Sequence, residues 1–375
     1  MGAGVGRLRD FPKREREMTE RSDDTGLKAR SGGRRRLVIW SLVLMLAASM
    51  ALPLTGLLIP ASQAQETAQQ QDDKSNPRAD YWREVRKGDV GYSAVQGPEA
   101  GVLVQSAGQT WREVRDGPVL HLGLWGVASI IVVLAIYHLM TGGYKLQGRT
   151  GRKVLRWPGI DRFIHWYTAV LFLILAITGL SLLWGRTLLI PIMGKEAFAA
   201  WANLAKPVHD YLSLFFSAGL LVMLVKWFHH NIWKSYDFKW LISGGGYLGG
   251  GHPPAGFANA GEKLLFYTLI VAGGAMMVSG AFLLFPNWGT DRAGMQLANV
   301  IHGASSLICF MFICLHIYLA TIGSEGALEG MVTGEVDEQY AKQHHPLWYD
   351  EVMKGKTSDF AGGTATPAPA APRKE

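Results

Sequence analysis

Five apolar segments alternate with polar stretches in the last two thirds of the chain, and each is long enough to cross a membrane. A bilayer core about 30 Å thick needs about 20 mostly apolar residues in helical form. Each segment reaches that length with very few charged residues. We therefore predict transmembrane helices over residues 120–141, 163–185, 209–228, 264–285 and 301–323.

The first third of the chain has the pattern of an exported N-terminus. An Arg-rich stretch precedes an apolar run at 37–59, and small residues follow at Ser62 and Ala64. This order predicts a signal peptide over 1–64, cleaved after Ala64. Because the apolar run is long for a signal peptide, an uncleaved membrane anchor is the alternative. Residues 65–118 are polar, and we expect them to form a small exported, periplasmic segment.

Loop charges predict the orientation of the helices. The loops 142–162 and 226–263 carry ten Lys and Arg residues, whereas 186–207 and 286–300 carry four. Positively charged loops are retained in the cytoplasm. The sequence thus predicts a multi-pass protein of the bacterial inner membrane, in which 324–375 is a cytoplasmic tail with a disordered end.

Composition excludes several other classes of protein. Apolar residues make up 49% of the 375 positions, and the net charge of +7 is spread over loops and the N-terminus. This distribution indicates membrane topology rather than nucleic-acid binding. The two cysteines, Cys309 and Cys314, lie about 140° apart around one helix, so this chain alone offers neither an iron–sulfur nor a zinc site.

The last apolar segment carries two histidines on nearly one face. His302 and His316 are fourteen residues apart, which is about 21 Å of helical rise and about 40° short of four turns. An ionisable ring inside a membrane is costly and usually has a partner, and imidazole is a common axial ligand of haem iron. The alternative is that both rings hydrogen-bond to neighbouring helices.

Two more histidines match these depths. His165 opens the second segment on the predicted inner side, and His209 opens the third on the outer side. Matching depths pairs His209 with His302 and His165 with His316. Four imidazoles at two levels predict two haem b groups, each with two axial histidines.

The other seven histidines are predicted to have ordinary roles. His121 and His138 lie about 100° apart around the first segment, so one helix face cannot present both to stacked haems. For five more, in loops or the tail, we expect solvated or interfacial positions. These five are His229, His230, His252, His344 and His345. Small residues such as Gly179 and Gly303 either admit a flat macrocycle or serve helix packing.

Over about residues 155–350, local motifs resemble one known family, the cytochrome b (gamma) subunits of membrane-bound respiratory formate dehydrogenases. The segment 65–118 and the first helix resemble the long form of that subunit. The matching motifs are D-R-F-I-H-W at 161–166, K-W-F-H-H-N-I at 226–232, F-A-N-A-G-E-K at 257–263, V-I-H-G-A-S-S at 300–306, L-H-I-Y-L-A at 315–320, E-G-M-V-T-G-E-V at 329–336 and A-K-Q-H-H-P-L-W-Y at 341–349.

The resemblance implies two haems b with the pairing given above, and three partners. A molybdenum- or tungsten-containing catalytic (alpha) subunit would oxidise formate and pass the electrons to an iron–sulfur (beta) subunit. The iron–sulfur subunit would then pass them to the outer haem. A quinone near the cytoplasmic face would accept the electrons, beside His316 and residues Asn259, Gly261 and Glu262. Glu262 stands where the family often has Gln, and Asn259-x-x-Glu262 is also a helix capping box that needs no ligand.

The sequence therefore predicts an all-α membrane protein: one additional transmembrane helix at 119–142 and a four-helix dihaem bundle at 155–323. It would conduct electrons and complete quinone reduction without acting on formate itself. Two alternatives remain at this point. One is the cytochrome b anchor of another respiratory enzyme, such as a hydrogenase or thiosulfate reductase, and the other is a haem-free membrane anchor or transporter.

Overall fold

Long helices dominate the computed structural model, which describes Arg83 and residues 107–355 apart from 248, 250 and 287. The predicted signal peptide and most of the predicted exported segment lie outside these residues. The helices are α1 (Ala107–Val114), α2 (Gly123–Thr141), α3 (Gly159–Trp184), α4 (Ile190–Trp227), α5 (Ser235–Ile242), α6 (Ala260–Thr268), α7 (Gly274–Leu284), α8 (Arg292–Tyr318), α9 (Ala327–Val332), α10 (Glu338–His344) and α11 (Pro346–Met353), and the strands are β1 (Lys153–Leu155) and β2 (Glu335–Asp337).

Several of these helices join through single wider turns into longer rods. Within the described residues, four continuous helical stretches are long and apolar enough to span a membrane. Each contains a π-helical turn, and the first of these turns includes Pro118, which cannot donate a backbone hydrogen bond. The four stretches are Gly108–Thr141, Gly159–Asn231, Ala260–Leu284 and Arg292–Gly323.

The longest stretch makes two passes. Its 73 residues include α3 and α4, and the backbone leaves helical geometry at Gly194 (φ 83°, ψ 167°). His209 of α4 lies against Thr178 and Gly179 of α3, which a straight helix would hold about 45 Å away. The chain therefore reverses direction, and the five predicted apolar segments lie within helices, apart from Phe285 just after the end of α7.

Two apolar clusters hold the bundle together. One packs α2 and its preceding turn against α8, with Ile130 and Leu307 at its centre. The other joins α3, α4, the α6–α7 rod and α8 around Leu220 and Cys309. Because lipid is as apolar as leucine, helices in a membrane associate largely through close packing of their surfaces. Gly123 shows how close this packing is, because a Cβ added there would stand 2.4 Å from Leu307 Cδ1.

One end of the bundle carries a small folded cap, which we define as residues 142–158 and 324–355. In it β1 pairs antiparallel with β2, with Val154 opposite Val336. Val154, Val336 and Trp348 are buried with their neighbours in a third apolar cluster. The expected polar tail is thus folded up to Gly355, and residues 356–375 lie outside the described part of the chain.

Buried charges tie the loops at this end to the cap and to the membrane helices. Lys263, at the start of α6, donates to Asp237 of α5 at 2.7 Å, and both side chains are fully buried. Arg156 is also buried and donates to the carbonyl of Phe257 at 2.8 Å. Buried charges in proteins are usually paired in this way.

Candidate functional site

The four predicted histidines come together as two pairs. The ring centroids of His209 and His302 lie 6.2 Å apart, and those of His165 and His316 are also 6.2 Å apart. The sequence put His209 at the start of its helix, which is wrong, because α4 begins nineteen residues earlier at Ile190. The apolar window missed this polar first half of α4, but the ring of His209 does lie beside that of His302.

The spacing of the rings matches what a shared metal ion requires. Metal–imidazole nitrogen bonds are about 2.0 to 2.1 Å long, and a ring centroid lies about 1.1 Å behind its nitrogen, so two ligating rings stand a little over 6 Å apart. Both pairs meet this distance without displacement of either helix. The residues present therefore fit one iron between each pair of rings.

The pair His209–His302 also has its outward-facing nitrogens fixed. The Nδ1 atom of His302 lies 3.0 Å from the carbonyl oxygen of Met276, which can only accept, so Nδ1 is the donor. The Nδ1 atom of His209 lies 3.0 Å from Thr178 Oγ1, whose own proton goes to the carbonyl of Ile174 at 2.8 Å. Each ring therefore keeps the lone pair of Nε2 for its partner's side, the tautomer that metal-ligating histidines adopt.

Two small-residue contacts repeat across this pair. A Cβ at Gly179 would stand 2.9 Å from His209 Cε1, and a Cβ at Gly280 would stand 3.1 Å from His302 Cε1. The sequence left open whether Gly179 admits a macrocycle or serves packing, and in the structure it admits the imidazole of His209. Gly303 serves packing, since its Cβ would lie 3.2 Å from Val119 Cγ1.

The pair His165–His316 lies at the end of the bundle that carries the cap. Trp227 stacks alongside His165, with ring centroids 6.4 Å apart and planes 23° apart. Trp157 lies 4.9 Å from Trp227 and 4.9 Å from Phe257. A continuous set of aromatic contacts therefore leads from His165 to the segment that contains the predicted quinone residues.

Those quinone residues form a helix start. The Asn259 side chain accepts from the Glu262 backbone at 3.0 Å, and Glu262 accepts from the Asn259 backbone at 2.8 Å. This is the reciprocal capping box that the sequence indicated. Glu262 also lies 3.4 Å from Arg156 Nη2, and a Cβ at Gly261 would meet Trp240 at 2.9 Å. Local structure thus explains all three residues, and the quinone contact stays a prediction.

The remaining histidines differ in part from expectation. His121, His229 and His252 are exposed. His138 contacts the Tyr318 hydroxyl at 3.3 Å. The prediction that the two histidines of the H-H-P motif are solvated is wrong: His344 and His345 are 7% and 0% exposed, respectively.

Burial controls the protonation of these two cap histidines. It lowers the pKa of His344 to about 3, with His252 and Arg156 adding to the effect. It lowers the pKa of His345 well below its usual value, again with Arg156 contributing. Sequence reasoning missed them because their neighbours, such as Tyr340 and Tyr144, come from segments almost 200 residues apart. The aromatic residues on either side of the motif were the available signal.

Comparison with known proteins gives one family. The family model described as prokaryotic cytochrome b561 matches residues 156–334. The cytochrome b556(Fdn) subunit of the nitrate-inducible formate dehydrogenase of Escherichia coli K12 is 30% identical over 217 residues, which cover 55% of this chain and 94% of that protein. The cytochrome b556(fdo) subunit of formate dehydrogenase from the same organism is 28% identical over 209 residues, covering 54% and 94%.

A further relative comes from another organism. The formate dehydrogenase cytochrome b556 subunit of Haemophilus influenzae is 26% identical over 222 residues, covering 57% of this chain and 90% of that protein. The matched region begins just before α3 and includes all four paired histidines. Helix α2, which contains most of the first predicted transmembrane segment, lies outside the family model.

Proposed function

Since this chain belongs to the family of formate dehydrogenase cytochrome b556 subunits, within the prokaryotic cytochrome b561 family, we propose that it is the dihaem membrane subunit of a formate dehydrogenase. The family implies binding of haem b, and the protein is an integral membrane protein. The proposed role is to pass electrons from an iron–sulfur subunit to a quinone. The catalytic subunit, which contains molybdenum or tungsten, would oxidise formate elsewhere in the complex.

One observation carries this proposal: the two imidazole pairs have the same ring separation, which suits an iron between them. His209 and His302 would hold one haem, and His165 and His316 the other. Haem iron bound in this way takes up and releases one electron at a time. The chain's own contribution is to hold the four rings at two levels of the bundle, about 21 Å apart along α8.

The anchored Nδ1 atoms have a direct consequence for binding. Because Thr178 and Met276 hold the rings of His209 and His302 from behind, little rotational freedom is left to lose when a ligand is bound. This arrangement would favour firm binding of haem iron by the two rings.

We propose that electrons enter at the His209–His302 end and leave at the His165–His316 end. The quinone would be bound near Asn259, Gly261 and Glu262. Reduction of a quinone to a quinol takes two electrons and two protons. The electrons would come from the inner haem, and the protons from the cytoplasm by way of Glu262. The aromatic contacts from His165 to Phe257 support this location.

The orientation follows from loop charge. The cap end carries the Lys- and Arg-rich loops, which supports a cytoplasmic location for it, with the protein in the bacterial inner membrane and residues 65–118 in the periplasm. Formate oxidation outside and quinone reduction inside would make the cycle electrogenic. The relatives described above favour this assignment over a hydrogenase or thiosulfate reductase anchor.

The test is the haem content of the purified chain. A reduced-minus-oxidised spectrum should contain b-type α-bands, and the pyridine haemochrome assay should give two haems per chain. A chain that folds in detergent without any b-type band would contradict the proposed function. One haem per chain would contradict the two-site arrangement.

A further inference from the structure

Three polar atoms without partners follow one face of α3. They are Asp161 Oδ2, His165 Nδ1 and Thr168 Oγ1, and each is inaccessible to solvent. Their positions i, i+4 and i+7 place them one above the other on the helix. Asp161 and Thr168 are 1% and 5% exposed, respectively. A buried unpaired carboxylate oxygen costs free energy, so three such atoms on one face require an explanation.

Helix α4 covers this face but offers His165 no polar side chain. Trp227 lies opposite Asp161, and Gly219 lies opposite Thr168, where a Cβ would stand 2.9 Å from Thr168 Oγ1. Interpolation between these two contacts gives Met223, which is apolar and buried, as the residue expected opposite His165. The backbone carbonyls of α4 at this level accept within their own helix. On α3 itself, Asp161 Oδ2 is a buried acceptor one turn away from His165 that has no partner of its own.

The two oxygens of Asp161 are used differently. Oδ1 accepts from Trp227 Nε1 at 2.7 Å and lies 3.5 Å from Lys226 Nζ. The Trp227 ring in turn stacks alongside His165. Oδ2 is thus fixed beside the same ring whose Nδ1 atom has no acceptor. The other pair of histidines already shows the equivalent contacts, to Thr178 and to Met276.

We propose that Asp161 is a positioning residue whose carboxylate accepts the Nδ1 proton of His165, directly or through one water that Thr168 also contacts. This rests on the proposed function, because it assumes that Nε2 of His165 ligates iron. A carboxylate behind a ligating histidine fixes the ring and makes it a stronger electron donor. The two haems would then differ in the hydrogen-bond acceptors of their histidines. The acceptors of His209 and His302 are neutral, whereas that of His165 is a carboxylate.

The consequence is a difference in reduction potential. A more strongly donating imidazole and a nearby negative charge both stabilise ferric iron. Loss of the carboxylate should therefore move the potential of the His165–His316 haem in the positive direction and leave the other haem in place. A purely structural role for Asp161, that of holding Trp227, predicts no such selective shift.

The experiment is a potentiometric titration of the purified full chain, followed at the haem α-band. The component that disappears in His165→Leu identifies the haem of that pair. In Asp161→Asn, where one oxygen remains for Trp227, we expect this component to shift to a more positive potential with the other unmoved. Trp227→Phe, which keeps an aromatic ring beside His165 but removes the donor to Asp161 Oδ1, should shift this component by much less than Asp161→Asn does. Glu329→Gln, which removes a carboxylate of the cap that contacts Arg149 and Lys153, should leave both potentials at the wild-type values.

Several results would overturn the inference. One is an Asp161→Asn protein with full haem content and unchanged potentials, and another is an equal shift of both components. A Trp227→Phe protein with the same shift would also do so, because Asp161 would then act only through the indole. If Asp161→Asn loses the haem of the His165–His316 pair, Asp161→Glu must retain that haem with its wild-type potential. An Asp161→Glu protein that does not would overturn the proposal. A wild-type chain without b-type haem would instead refute the proposed function.

Discussion

Gly179 of α3 lies directly against the imidazole of His209 on α4, so that a Cβ added to this glycine would stand 2.9 Å from Cε1 of the ring. Gly280 is placed in the same way against His302. Each of the two ring positions therefore depends on the absence of a side chain on the neighbouring helix. Helix packing at these two glycines therefore determines where the two proposed haem ligands lie.

Substitution of Gly179 by alanine should displace the ring of His209. Overpacking of this kind costs about 1 to 3 kcal/mol, and the ring must turn away from His302 to relieve it. We expect loss of the haem signal of the His209–His302 pair with the other signal kept. Haem content and the α-band spectrum measure both. Gly303→Ala is the matched control, because its Cβ would meet only Val119, and a loss of equal size there would argue against a specific effect.

The Nδ1 contacts give a graded prediction. Thr178→Val removes the hydroxyl acceptor of His209, whereas Ser279→Ala removes only a contact of 3.5 Å to His302 and leaves the Met276 carbonyl at 3.0 Å. Partners of metal-ligating histidines contribute about 10- to 100-fold in affinity. We expect about 10-fold weaker haem retention for Thr178→Val and little change for Ser279→Ala. Equal behaviour in haem-release assays would contradict the assignment of donors.

Glu262 tests the quinone part of the account. Glu262→Gln keeps the acceptor for the capping box but removes the acidic proton, so the helix start should be preserved. We expect quinone reduction by the complex to fall about 10-fold or more, and to lose its dependence on pH, with both haem spectra unchanged. Glu329→Gln, on the cap surface beside Arg149 and Lys153, is the control. An unaltered rate and pH profile in Glu262→Gln would end the proton-delivery hypothesis.

The buried cap histidines predict a dependence of local stability on pH. His344 is neutral in the folded cap, with its pKa lowered by burial to about 3, but it binds a proton in the unfolded chain below about pH 6.5. Stability is therefore complete above pH 6.5 and falls below it, by up to about 1.4 kcal/mol per pH unit for each buried histidine. Hydrogen exchange of residues 338–353, corrected for intrinsic rates, should lose protection between pH 7 and pH 5.

The matched variant is His344→Phe, which keeps the ring between Tyr340 and Tyr144 but cannot take up a proton. Its loss of protection on acidification should be shallower than in the wild type. His121→Gln, an exposed histidine, should leave the slope as it is. A slope that is the same in all three proteins would show that the cap histidines do not control stability in this range. Glu338 contributes to the loss of stability only at lower pH. Burial alone would raise the pKa of its carboxyl group, but Lys342, Tyr349 and Arg152 together lower that pKa to about 2.

Local patterns revealed the membrane helices and the pairing of the histidines but not the cap. Runs of about 20 apolar residues are a strong signal, and helical rise converts sequence distance into depth, so His302 and His316 could be matched with partners on other helices. The cap core joins Val154 to Val336, and no local periodicity connects segments so far apart. The polar first half of α4 was missed for a related reason, because an apolar window ends where a helix leaves the bilayer core.

The most direct measurement of the central claim is the spectrum of two single variants, His209→Leu and His302→Leu, each purified as the full chain. These two rings lie 6.2 Å apart at one level of the bundle, and the rings of His165 and His316 lie at the other. The account predicts that either substitution removes one and the same b-type signal and halves the haem content, with the second signal retained. Two unchanged signals in either variant would contradict it.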